Sequence, residues 1–386
     1  MQEIGHSKDK LVVVQRVLPH YGKPVFDRLA AMYDMTLLHG EVTQAGYNEV
    51  SASYSIKVPF FQYSNSTSHI FLFTLGQINK IKPAVIIYEN SVGILSLPFT
   101  LIYSRLKGIK FILWGHGYNR DKGFDPQSSI LDKVRLWYMK MADAVLFYGQ
   151  EGKTTLSKYI DGNKLFVAPN TLDTDELLKV KEELVYEGKE NIKNRLGLTF
   201  KYNILYIGRL IKSKSPEKLL VLFKYFRSTL QQDIGIHYVG DGEMKNKLQE
   251  ISVEMGCERN IVFHGAMYDD KRAGEYLFVS DLMIQPGAMG LAINHAFCFE
   301  CPVVSFESQM HGPEIEYLIP NQTGYLAKMD DYIDMSAWVE KYLMDAEMQI
   351  NIKKEINYMI QNVCSIGQML AGIKLAVEYT LSKKSS

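Results

Sequence analysis

Short runs of aliphatic and β-branched residues alternate along this chain with longer segments whose apolar positions recur every three to four residues. The runs at 11–14, 36–38, 83–88, 110–114, 144–148 and 165–167 read as buried strands. Between them, helical spacing predicts a helix opening at Lys23-Pro24, a buried helix over 92–106 and another over 132–141. A second series repeats the rhythm: strands at 202–207, 234–239, 261–263 and 282–284, with helices over 216–229, 243–255 and 272–278. After Trp338 the pattern is helical to the end. Strands and helices in alternation mean βα units around parallel sheets, with ligands expected where loops leave the carboxyl ends of strands.

The rhythm breaks over 174–195, which is polar and dense in Lys, Glu and Asn. Two Rossmann-like α/β domains facing across a cleft follow as the expected fold class. The first spans 1–175, a linker with some helix of its own spans 176–200, and the second domain spans 201–365. The last helix, 366–386, is expected to pack back on the first domain. A length of 386 residues, too long for one ordinary core, agrees with two domains.

The chain is organised around 283–316, MIQPGAMGLAINHAFCFECPVVSFESQMHGPEIE. Met283 and Ile284 close a strand, Pro286 and Gly287 break it, and Gly290 precedes a helix carrying Leu291, Ile293, Ala296 and Phe297. Unpaired amides at such a helix start suit a phosphate. The other reading is a glycine turn kept for packing alone.

Charge narrows the partners. Lys plus Arg and Asp plus Glu both number 43, so no global field favours nucleic acid, and anion binding must be local. The N-terminal MQEIGHSKDK lacks an apolar core and does not read as a signal peptide, and 92–103, broken by Pro98, is too short to span a bilayer. Of four cysteines, Cys298 and Cys301 form a single CxxC in an apolar setting, which favours packing thiols over zinc or a redox pair. A cytoplasmic protein fits these features. It is expected to touch the inner face of the membrane peripherally, through Arg105, Lys107, Lys110, Lys133, Arg135 and Lys140 beside Trp137, Tyr138 and Met139. An ordinary solvated helix face is the alternative.

Candidate chemistry gathers on loops after strands. Gly208-Arg209-Leu210 is followed by Lys212 and Lys214, cations suited to a diphosphate or to a solvated loop. Gly240-Asp241-Gly242 either lets a base or ribose approach the backbone or makes a tight turn. His116, between two glycines in Trp114-Gly115-His116-Gly117, reads as functional, whereas Asn170 reads as a turn residue.

Taken together, GRL with Lys214, VGDG, IVFHG, PGAMGL, the helix ending in Pro-Val-Val, GPE and NQTGYL resemble the nucleotide-sugar glycosyltransferases of family 4, over roughly residues 203 to 328. WGHG and APN in the first half support this more loosely. The resemblance implies the two-Rossmann GT-B fold. It implies that Arg209 and Lys214 bind donor phosphates, and that the turn of Gly287, Gly290 and Leu291 cradles the distal phosphate. It further implies that Gly208, Gly240 and Gly242 line the nucleotide site and that His116 stands near the transferred sugar. No metal or other cofactor is expected, the nucleotide sugar being a substrate.

One departure stands out. The family carries two glutamates seven residues apart, and alignment puts Gly287 at the first and His295 at the second. His295 retains the means to bond ribose; Gly287 has none to bond a sugar hydroxyl, so either Glu314 of HGPE reads the sugar or activity is lost. The expected reaction moves a sugar to a hydroxyl of a saccharide or lipid-linked acceptor, with retention, in surface polysaccharide synthesis (lipopolysaccharide, O-antigen or capsule). A nucleotide-sugar epimerase, a phosphorylase and a non-catalytic sugar-nucleotide scaffold are the alternatives.

Overall fold

The computed structural model describes residues 9–41, 51–62, 69–229, 233–308 and 310–383. Residues 1–8 of the N-terminal stretch judged above, and Gln309 of the central stretch, lie outside them. The chain divides into two compact units, one of residues 1–170 with 366–386, the other of 171–365.

In the first unit seven strands form one parallel sheet. They are β1 (Lys10–Gln15), β2 (Asp34–His39), β3 (Ser55–Lys57) and, after the antiparallel pair β4 (Phe60–Gln62) and β5 (Ile70–Leu72), β6 (Val85–Glu89), β7 (Lys110–Gly115), β8 (Ala144–Phe147) and β9 (Leu165–Val167). Their order is β3-β2-β1-β6-β7-β8-β9, so the strand order reverses between β1 and β6. Alternation along β1 sends Val12 and Val14 into a core with Leu97 and Leu101, and Leu11 and Val13 into a core with Ile366, Ile373 and Val377. The C-terminal helix Ile366–Ser382 thus covers one face of this sheet. Both faces are buried, which explains why these strands read as continuous apolar runs.

The second unit has β10 (Tyr202–Ile207), β11 (Ile234–Val239), β12 (Ile261–Gly265), β13 (Leu282–Ile284), β14 (Val303–Phe306) and β15 (Gly324–Ala327). Their order is β12-β11-β10-β13-β14-β15, and the reversal falls between β10 and β13.

Two expectations need correction. Residues 176–200 are not a separate link: helices Thr174–Glu187 and Lys189–Leu196 bury Leu177, Val180, Leu184 and Ile192 in the second core. Their polar composition belongs to the outer faces of amphipathic helices. The helix expected from residue 92 begins at Leu97, with Pro98 in its first turn, and only one of its faces is buried. The four cysteines are buried, and burial pushes the Cys298 and Cys301 thiols up.

Candidate active site

At the strand-order reversal of the second sheet, the loops leaving β10 and β13 lie against one another. Ala288 N donates to Ser213 O at 3.0 Å, and Lys214 Nζ donates to Ala288 O at 3.3 Å. A Cβ on Gly287 would stand 2.4 Å from the Lys214 carbonyl carbon and 2.6 Å from its oxygen. Glycine is therefore required at position 287, because the backbone of Lys214 occupies the space a side chain needs.

Arg209 and Lys214 are brought to this edge together. Neither forms an ion pair with a carboxylate among the described residues. Arg209 is exposed; Lys214 is half-buried, and loss of water, reinforced by the Arg209 charge, lowers its ammonium pKa to about 8. Two neighbouring cations without counter-charge make a site that gains from an anion. The amides of Gly290 and Leu291 donate to no protein group among the described residues. The helix after them, Ala292–Cys298, has only seven residues, so free amides rather than a long helix dipole define this turn.

The loop after β11 joins them through its backbone. Gly208 N donates to Val239 O and Leu210 N to Asp241 O, both at 2.9 Å. Side chains at Gly240 and Gly242 would collide with Gly208 O at 1.9 Å and Leu210 O at 2.5 Å. Packing between the two turns alone accounts for both glycines.

Glu314 lies in the turn Pro313–Tyr317, buried, with its Oε2 3.4 Å from where a Gly290 Cβ would stand. Gly312 N donates to Met289 O at 2.6 Å, which ties this turn to the glycine turn. His295 is 9% exposed and packed on the Phe299 ring. Burial holds it towards the neutral form, and its Nε2 has no partner among the described residues.

Sequence reasoning missed Gln285, the residue after β13. It is fully buried, donates from Nε2 to Ala288 O at 3.2 Å, and leaves Oε1 without a partner among the described residues. Its place directly after the apolar run 282–284 was the available signal. Also missed was the pair Arg16–Glu89, which spans the reversal of the first sheet, with Arg16 Nε donating to Glu89 Oε1 at 2.6 Å. His116, in the same unit, meets the Tyr148 ring edge-on at 5.1 Å between centroids. Surrounding atoms, then the Arg120 charge, push it towards the neutral imidazole, while the solvent still reaching the exposed ring limits the effect. Asn170 N donates to Tyr148 O at 3.0 Å, in keeping with a turn residue. Among the described residues no group of three or more His, Cys, Asp or Glu is placed to hold a metal ion.

Residues 188–358 match the family model described as Glycosyl transferases group 1. An uncharacterized glycosyltransferase of Methanocaldococcus jannaschii is 26% identical over 198 residues, 49% of this chain and 47% of that protein, so the match spans about half the length of this curated relative. A glycosyltransferase structure from Rickettsia africae superposes with a TM-score of 0.71 at 16% identity, over 98% of this chain and 100% of that one. Anabaena HepE in complex with UDP gives 0.67 at 15% identity, over 96% and 99%. The chain has the two-domain fold of GT-B glycosyltransferases, and the match to the group 1 family model falls within its second unit.

Proposed function

We propose that this protein transfers a sugar from a nucleotide sugar to a hydroxyl of a saccharide or lipid-linked saccharide, in the assembly of a surface polysaccharide. The observation that carries the reading is the pair Arg209 and Lys214 on the same sheet edge as the amides of Gly290 and Leu291, the cations without a carboxylate partner and the amides without an acceptor among the described residues. Cations and amides so arranged favour the diphosphate as it leaves. The Anabaena protein, solved with UDP, supports a uridine nucleotide as the donor's carrier.

In the proposed reaction the bond from the anomeric carbon to the terminal phosphate oxygen breaks and a bond to the acceptor oxygen forms on the same face. The acceptor's proton passes to the leaving diphosphate. Arg209 and Lys214 take its charge, which makes a divalent cation unnecessary in this proposal. Glu314 beside Gly290 is assigned the sugar hydroxyls that the family's first glutamate reads elsewhere, His295 Nε2 the ribose, and His116 the transferred sugar.

The deciding experiment incubates the protein with a panel of nucleotide sugars and saccharide acceptors, in chelator and with added magnesium or manganese, and follows nucleoside diphosphate release. Acceptor-dependent release in chelator is expected. Sugar interconversion with the nucleotide still attached would mark an epimerase. Release of sugar phosphate only with inorganic phosphate would mark a phosphorylase, and binding without turnover a scaffold. Release only with added metal would remove the metal-free part of the proposal.

A further inference from the structure

The helix Leu97–Leu106 has two apolar faces, and the fold uses one. Leu97, Thr100, Leu101 and Ser104 are buried against the first sheet. The opposite side presents Phe99, Ile102 and Leu106, which are 58%, 44% and 81% exposed. Phe73 extends this strip: the Phe71 ring lies 5.0 Å from Phe73 and 5.8 Å from Phe99, centroid to centroid. Scattered exposed apolar residues are ordinary, but a connected strip of aromatic and aliphatic side chains marks an interaction surface.

Charge identifies the partner. Residues 50–120 contain seven Lys and Arg but a single acid, Glu89, in a chain whose charges balance over its full length. That acid is bonded to Arg16, and Lys57 and Arg120 pair with Glu41 and Glu151 outside this stretch, which leaves Lys80, Lys82, Arg105, Lys107 and Lys110 in ion pairs with no carboxylate among the described residues. Lys107 follows the helix end, and Lys80 lies on the adjoining helix Leu75–Ile81, which is joined to the strip's helix by Tyr103 Oη donating to Asn79 Oδ1 at 2.9 Å. The basic and aromatic side chains expected on the neighbouring helix Ile130–Met141 serve less well: Tyr138 and Met139 are buried, and Arg135 is paired with buried Asp132.

We propose that the helix Leu97–Leu106, with Phe73, Lys80 and Lys107, docks this protein on the surface of an anionic lipid bilayer. A bilayer interface supplies an apolar layer for Phe99 and Leu106 together with negative charge for the lysines. A second copy of the chain would set like charges against one another. Ten residues are too few to span the hydrocarbon, so the helix lies in the interface. Among the described residues no helix is long and apolar enough to cross a membrane. This inference does not depend on the sugar-transfer reading.

The full chain is sedimented with vesicles of equal parts phosphatidylglycerol and phosphatidylcholine, and with phosphatidylcholine alone. Binding to the anionic vesicles is expected to be about tenfold tighter and to weaken as salt is raised. Phe99→Ser with Leu106→Ser should reduce it about tenfold, and Lys80→Glu with Lys107→Glu should remove the salt dependence. These side chains are exposed, and unchanged thermal melting and circular dichroism would show that the variants fold. No binding to anionic vesicles at low salt, or unchanged binding by both double variants, overturns the proposal. Self-association abolished by Phe99→Ser with Leu106→Ser, in a protein that ignores vesicles, would also overturn it and assign the strip to a second copy.

Discussion

Gly287 and Lys214 meet backbone to backbone, so close that a methyl on Gly287 would stand 2.4 Å from the Lys214 carbonyl carbon. Placing there the glutamate that the resemblance to family 4 implies should therefore harm this protein. Gly287→Ala is expected to cost ~1 to 3 kcal/mol of stability, the usual range for overpacking, and Gly287→Glu at least as much. Both should also weaken nucleoside diphosphate binding by displacing Lys214. Urea unfolding and calorimetry check this, and a Gly287→Glu variant of wild-type stability with tighter donor binding would refute the steric argument.

Arg209 and Lys214 carry the phosphate proposal, and each should be needed separately. Alanine at either position is expected to weaken nucleoside diphosphate binding by ~1.5 to 3 kcal/mol, the range for a lost charged hydrogen bond. Unchanged affinity in both variants would move the phosphate site elsewhere.

Binding should also depend on pH through Lys214. Its folded pKa of about 8 lies below the usual lysine value, and the protonated form is the one that attracts a diphosphate. Affinity is therefore full below pH 8, falls as pH rises through 8, and binding there takes up a proton. Calorimetry in two buffers of different ionisation enthalpy measures that uptake. Lys214→Arg, which does not titrate in this range, should abolish it.

Much of the fold was legible because sheets buried on both faces force apolar runs, as in Leu11–Val14, and the helices between them keep their period. The turns containing Arg209 and Gly290 were legible as motifs. What stayed hidden was set by contacts between distant residues. Nothing near Gly287 in the sequence announces Lys214, and the glycines at 240 and 242 give no sign that Gly208 and Leu210 stand against them. The helices of 174–196 were hidden for another reason: their many exposed Lys and Glu mask a buried stripe of Leu177, Val180 and Leu184.

His237 and His264 form a directional chain inside the second unit, and it predicts acid sensitivity. Asn203 Nδ2 donates to Phe200 O, which leaves Oδ1 to accept from His237 Nε2 at 3.0 Å. His237 Nδ1 then accepts from His264 Nε2, and His264 Nδ1 from the Tyr276 hydroxyl, both at 3.1 Å. Each ring is neutral in this arrangement. Burial lowers His237 to about 3 and also lowers His264. The unfolded chain binds protons first, so stability is complete above ~6.5, the ordinary histidine value, and falls as pH drops below it. The loss should approach ~1.4 kcal/mol per pH unit for each histidine kept neutral. Urea unfolding from pH 7.5 to 5 measures the slope, which His237→Gln should reduce; an unchanged slope would remove His237 as its source.

His116 and His295 should fail in different ways when replaced. His116 belongs to the first unit and His295 to the second, which also holds Arg209, Lys214 and the glycine turn. Losing His116 leaves the phosphate contacts intact, so His116→Ala is expected to lower kcat while donor affinity stays near wild type, the pattern of a contact that strengthens in the transition state. Losing His295 removes a buried ring whose Nε2 lacks a partner among the described residues and is assigned the ribose. His295→Ala should therefore weaken donor binding more than it lowers kcat. Because the ring also packs on Phe299, some stability will be lost, and affinity must be measured well below the melting temperature. A His295→Ala protein that melts earlier but binds the donor as tightly as wild type would show that the ring serves the fold alone. A His116→Ala protein with full turnover would likewise remove His116 from the reaction.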